Sequence, residues 1–365
     1  MEPLSPENEP ISIQGAYCPL PLPHQDQIVL GHGSGGKMTH DLIRSIFQVR
    51  LSNSYLEGGN DGAVLPSAGQ DNEIVVSVDS HVVTPLFFPG GDIGRLSISG
   101  TVNDIAVMGA IPKYITAGFI LEEGFQIETL VKIVDSMAAT AQEAKVSIVA
   151  GDTKVVEKGK CDGLYITTSG VGIRRKDLMI GGQFVKPGDD IILSGSIGDH
   201  GMAVLQARGE LGFESQITSD VAPLNGMIQM ALNAAQDENG NAIHAMRDPT
   251  RGGVATTLNE IAQQSRSGIL IYEKSIPVSE TVQSICEMLG FDPLYVANEG
   301  KCLFFVEPQK SQAVLEALQK HDYGKNAAII GKVLAENPGK VLLKTILGST
   351  HLLDMLSGEM LPRIC

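Results

Sequence analysis

The chain has 365 residues, which favours about two domains over a single core. A formal charge of −15 argues against a duplex-binding surface of clustered Lys and Arg, while 43% hydrophobic residues, 41 glycines and no Trp point to an α/β protein with many tight turns. The five cysteines (Cys18, Cys161, Cys286, Cys302 and Cys365) are scattered, with no CxxC pair, so they suggest neither a zinc site nor a disulfide framework and imply a reducing, cytoplasmic setting.

Residues 1–27 are rich in proline and acids and lack a basic n-region or apolar h-region, so they read as a disordered lead-in rather than a signal peptide. No apolar run approaches the ~18 residues of a membrane span. From Ile28, IVLGHGSGGKMTHDLIRSIF predicts a strand end, a glycine loop and an amphipathic helix. EIVVSVDSHVV (73–83) predicts a β-branched strand that runs into polar residues. A helix is expected around 92–109, then a strand (114–121), a helix (127–144) and a strand ending in SIVAGDTKV. LYITTSGVG closes the first unit near Arg174, and GGQFVKPGDD (181–190) has the turn chemistry of a boundary. Strand, glycine loop and helix recur in IILSGSIGDHGMAVLQA, followed by MRDPTRGGVATTLNEIAQQS, YVANEGKCLFFVEP and a last αβ portion to about Leu343. The expected organisation is two successive α/β (α+β) units, 28–175 and 184–345, with a C-terminal tail, 346–365.

Four acids stand out in the first unit: Asp61 in GGNDGAVL, Asp79 in SVDSH, Asp104 in TVNDIAVMG and Asp152 in VAGDTKV. Any one alone reads as a helix or turn cap. Four together, beside a glycine loop, point to hard-cation binding, because a lone buried carboxylate is costly and Mg²⁺ bridges carboxylates to nucleotide phosphates. The loop GHGSGGK offers Gly33, Ser34, Gly35 and Gly36 as a phosphate cradle, although it is not a Walker A sequence, and a flexible lid and a simple tight turn are open alternatives. In RDPTRGGVATTLNEIA, Arg251 either meets an anion or braces Asp248.

NDGAVL, SVDSHVV, GRLSISGTVNDIAVMGA, AGDTKVV and RDPTRGGVA, in that order, resemble the aminoimidazole ribonucleotide synthetase superfamily over roughly 28–365. The resemblance implies a two-domain fold of that kind: an N-terminal domain that dimerises through its sheet, a C-terminal α/β domain, and ATP with Mg²⁺ near the dimer seam. It maps the metal and phosphate acids onto Asp61, Asp79, Asp104 and Asp152, with Asn103 alongside and Gly151 and Thr153 as nucleotide contacts. EIVVSVDSHVV is a candidate for the homodimer seam.

The chain ends MLPRIC, similar to the PRxC-type tail of the superfamily's HypE branch. Pro362 disfavours a helix at Leu361, so the tail is expected to be an extended arm. By this resemblance a HypF-like carbamoyltransferase loads a carbamoyl group on the sulfur of Cys365, ATP drives its dehydration to a thiocyanate, and cyanide passes to a HypC–HypD-like acceptor for [NiFe] hydrogenase maturation. The carbamoyl nitrogen must lose protons, and Lys154 and Glu299 are the candidate bases. The alternatives are a synthetase or kinase of the same superfamily acting on a free amide or phosphate, or a non-catalytic maturation scaffold.

Overall fold

In a computed structural model of the protein, residues 32, 35–48, 60–67, 71–209, 216–238, 240–356, 361 and 363–365 are described. The first domain is a five-stranded sheet built from β1 (Ala63–Pro66), β2 (Asn72–His81), β3 (Ile111–Glu122), β4 (Ser147–Val156) and β5 (Leu164–Arg175), in the order β1-β2-β5-β3-β4. All neighbours are antiparallel except β3 and β4. Burial alternates along β5, so one face of the sheet meets the core and the other does not.

Helix α2 (Ile93–Val107) lies on the buried face, after the short α1 (Lys37–Leu42). Its start is fixed by Asp92, whose carboxylate accepts from the backbone N–H groups of Gly94 at 2.7 Å and Arg95 at 3.1 Å. Almost every residue of α2 is buried, because it packs on the sheet, on α3 (Ile127–Ala144) and on the second domain together. Ala106 and Val107 at its end belong to a core made mostly of second-domain residues.

The second domain is a seven-stranded sheet. In chain order its strands are β6 (Asp190–Leu193), β7 (Ile243–Arg247), β8 (Gly268–Tyr272), β9 (Leu303–Val306), β10 (Ala328–Leu334), β11 (Val341–Lys344) and β12 (Thr350–Leu353). They pair in the order β7-β9-β6-β10-β8-β11-β12. The apolar run LFFV fits an interior strand covered on both faces: Phe304 and Val306 enter one core, Leu303 and Phe305 the other. Helices α5 (Asn225–Ala235) and α8 (Pro308–Gln319) cover the first face and α6 (Gly253–Ser265) the second. The remaining helices are α4 (Asp199–Ala207) and α7 (Glu280–Leu289), and α4 has the tail against it. The sheet takes in β12, past the boundary expected at 345.

The expected seam in β2 is not the open edge of the first sheet. β2 has β5 along its whole length and β1 along Glu73–Val76, whereas β4 is exposed over nearly all its length on its own side of β3. The disordered lead-in expected over 1–27 and the strand end expected at Ile28 lie outside the described residues; from residue 72 to 175 the expected strands and helices match, with α3 spanning the expected 127–144.

Candidate active site

The tail folds back into its own chain. Val82 N–H donates to the Cys365 carbonyl at 2.9 Å and Thr84 N–H to the Arg363 carbonyl at 3.2 Å, which continues the backbone pairing beyond the end of β2. Ile364 is buried in the first-domain core with Val204, Val221 and Ala297. The Cys365 thiol is thereby set within electrostatic reach of Arg251, Glu299 and Asp79. Burial pushes its pKa well above the ordinary thiol range; Arg251 opposes this, and Glu299 and Asp79 add to it.

Glu299 is 5% exposed, and its Oε1 has no hydrogen-bond partner among the described residues. Its pKa is raised well above the usual range by burial first, then by Asp79, Asp248 and Asp220, against the pull of Arg251. The loop holding it is fixed by its own N–H, which donates to Asp220 at 3.1 Å, and Asp220 in turn pairs with the buried Lys301 at 3.1 Å.

Asp61, Asp79 and Asp104 lie within electrostatic reach of one another, and Asp248 joins them. Ser77 bridges two of these positions, donating to the Asp104 carboxylate at 2.6 Å and lying 3.0 Å from the Asp61 carbonyl. Burial, then the charges of Asp248, Asp79 and Asp61, push Asp104 well above the carboxylate range. Asp248 is raised to about 8, by burial and then Asp61; Asp61 is raised to about 6, by burial against the charge of Arg247. Arg247 contacts the Asp61 carboxylate at 3.0 Å and also pairs with Glu260. Of the two arginines in RDPTRGG, Arg247 therefore braces the acids and Arg251 faces the sulfur.

Other expected site residues lie elsewhere. Asp152 is in register with Gly118, Gly118 with Thr167 and Thr167 with Ser80, so it stands three strands from the Asp79 end of β2, about 14 Å at ordinary strand spacing. It is exposed and paired with Lys154 at 2.6 Å, and Gly151 and Thr153 share that exposed edge. Within one chain, none of these four reaches the cluster. Asn103 is buried and engaged with backbone: its amide nitrogen donates to the Ala222 carbonyl at 3.0 Å and its oxygen accepts from Leu224 N–H at 2.7 Å. Both halves of its buried amide are used to brace α2 against the second domain.

Gly33 and Ser34 lie outside the described residues. Gly35 and Gly36 serve close packing: a Cβ on Gly35 would come within 2.8 Å of Arg251 and one on Gly36 within 2.2 Å of the Leu356 carbonyl. The small residues here let the loop reach the second domain.

Residues 59–174 match the N-terminal domain model of AIR synthase related proteins, and 186–344 the C-terminal domain model. The carbamoyl dehydratase HypE of Azotobacter vinelandii is 50% identical over 336 residues, spanning 92% of this chain and 96% of that protein. The one from Escherichia coli (strain K12) is 44% identical over 343 residues, spanning 93% and 100%. The chain belongs to the carbamoyl dehydratase HypE family. Among solved HypE structures, one in a HypE–HypF complex superposes with a TM-score of 0.80 at 48% identity, covering 86% of this chain and 99% of that one. A HypE in complex with ATP gives 0.76 at 44% identity, covering 92% and 98%. Among the described residues, no helix is long and apolar enough to cross a membrane.

Asp248 and Arg247, absent from the expected set of ligands, were signalled only by RDPTRGG. Asp220 and Lys301 carried no local signal, since their pairing spans the second domain.

Proposed function

We propose that this chain dehydrates an S-carbamoyl group on its own Cys365 to a thiocyanate, using ATP. The observation that carries this reading is the tail docked by backbone hydrogen bonds from Val82 to Cys365 and from Thr84 to Arg363, which places the sulfur within electrostatic reach of Glu299, Arg251 and Asp79. A HypF-like carbamoyltransferase is the proposed donor and a HypC–HypD-like complex the proposed cyanide acceptor, in the cytoplasm. The docked thiol is held protonated, and the thiolate is the nucleophile, so loading belongs to a tail swung out toward the donor.

The buried acids fit a cation. Asp61 Oδ2 has no hydrogen-bond partner among the described residues, and Asp61, Asp79 and Asp248 each raise the pKa of Asp104. Among the described residues no three acidic, His or Cys side chains close around a metal position, so Mg²⁺ would have to take part of its shell from phosphate oxygens. Asp61, Asp79, Asp104 and Asp248 are the side chains proposed to hold it. Bound Mg·ATP supplies a phosphoryl group to the carbamoyl oxygen, so that phosphate departs where oxide would not. Glu299 takes the first proton from the carbamoyl nitrogen and the second leaves with the departing phosphate, while Arg251 faces the charge that develops near the sulfur and the docked tail limits access of water.

Two measurements test this. ADP formation is expected only after Cys365 has been loaded; turnover of ATP at the same rate without loading contradicts the reading. The Mg²⁺ requirement should also ease as pH rises. Asp248 in the cation-free fold keeps its proton up to about pH 8, above its unfolded value of 3.8, so a cation must displace that proton. Apparent affinity is expected to rise by up to about tenfold per pH unit between about 6 and 8, and a flat profile removes Asp248 from the site. The same sign makes the cation-free fold lose stability as pH climbs through that window.

A homodimer through the exposed β4 side is also proposed, because Asp152 and Lys154 need a second chain to approach any acidic cluster. Light scattering that finds only monomer at micromolar concentration contradicts it.

A further inference from the structure

The last three residues are held by more than the site chemistry requires. Arg363 pairs through its guanidinium with Asp162, in the loop between β4 and β5, and the same carboxylate lies 3.3 Å from the Thr84 hydroxyl. Arg208, just after α4, donates to the Arg363 carbonyl at 2.7 Å and to the Thr84 carbonyl at 2.7 Å. His200, fully buried on α4, has Nε2 2.7 Å from the Ile364 carbonyl and Nδ1 2.8 Å from the Ser219 hydroxyl. A carbonyl only accepts, so Nε2 carries the hydrogen and Nδ1 accepts from Ser219. The carbonyls of Arg363, Ile364 and Cys365 thus each have a donor: Arg208 with Thr84 N–H, His200, and Val82 N–H.

The side chains are matched as well. Ile364 fills an apolar socket, and Gly201 one turn into α4 leaves room for it: a Cβ there would come within 2.4 Å of Val296 and within 3.4 Å of Leu361 and Ile364. We propose that Asp162, Arg208 and His200 form a receptor for a C-terminal Arg–aliphatic–Cys sequence, and that these three are positioning residues which set the Cys365 sulfur against Glu299. None of the three touches the sulfur. They act on the tail: Asp162 reads the arginine, His200 and Arg208 fix the backbone, and the socket excludes a polar residue at position 364. Two of the three anchors, Asp162 and Arg208, lie at the outer end, where a donor protein that captures Arg363 would release the arm without disturbing the acidic cluster.

This proposal deepens the reading of Cys365 as the carrier, but its test needs no turnover, so a failure of the receptor and a failure of the chemistry are told apart. The full chain is treated with iodoacetamide and the alkylation rate of each cysteine is followed by peptide mass mapping. Arg208→Ala, which loses two carbonyl contacts, is expected to speed modification of Cys365 about tenfold. Asp162→Ala, an exposed pair, should speed it about threefold, and Asp162→Glu should restore protection. In the same variants, dehydration of a loaded tail should slow by similar factors while loading does not. Cys286 and Cys302, buried in the second domain, should stay protected throughout. Wild-type alkylation of Cys365 in both alanine variants overturns the proposal, as does Asp162→Glu behaving like Asp162→Ala, or exposure of Cys286 and Cys302 alongside Cys365.

Discussion

Glu299→Gln is expected to lower the rate of ATP-dependent dehydration by about 10²–10⁴-fold while leaving carbamoyl loading and ATP binding near wild type. Gln matches the shape of Glu, but it cannot accept a proton. The raised pKa of Glu299 has a cause that mutation of neighbours can probe: burial comes first, then the charges of Asp79, Asp248 and Asp220. The proton of a raised-pKa carboxyl is retained to higher pH, so the reaction should speed up with pH as Glu299 ionises. Single-turnover kinetics across pH on a preloaded chain checks both points. A Gln variant that dehydrates at the wild-type rate places the base elsewhere, and the exposed Lys154 of a second chain would then be the residue to test.

The second large effect is at Cys365 itself. Cys365→Ala should bind Mg·ATP and retain the same quaternary state, yet never acquire a carbamoyl or a cyano group. Loss here is complete rather than graded, because the bond to sulfur is the reaction's only attachment. Alanine preserves the backbone carbonyl that accepts from Val82, and Ile364 still fills its socket, so the tail remains docked. The buried Cys286 and Cys302 sit on core elements and cannot substitute. A label that maps to either of them contradicts the assignment.

Much of the site was legible because its chemistry is carried by short motifs. Asp61, Asp79 and Asp104 sit where strand ends and an apolar helix make a carboxylate conspicuous, and Cys365 stands out through the PRIC motif that holds it. Asn103 shows what the motif leaves open: a polar side chain in an apolar helix announces that it has a buried partner, but not whether the partner is a ligand or a backbone. Here the partner is the 222–224 backbone, far along the chain. Asp152 shares the local pattern of the other acids, yet the strand order β2-β5-β3-β4 carries it to the far edge of the sheet. Periodicity specifies that β4 is a strand without specifying which strand it lies beside. The grip on the tail was not legible at all, since Asp162, His200 and Arg208 are joined to it only by contacts that span 155 to 201 residues of sequence.

The central claim, that a carbamoyl group on Cys365 becomes a thiocyanate in this chain, is tested most directly by intact mass. The protein is incubated with a carbamoyl donor system, freed of donor, and weighed before and after addition of Mg·ATP. The expected result is one carbamoyl addition before ATP and loss of the mass of one water after it, both mapping to the C-terminal peptide. A carbamoylated chain whose mass is unchanged by ATP, or a modification mapping to any cysteine other than Cys365, contradicts it.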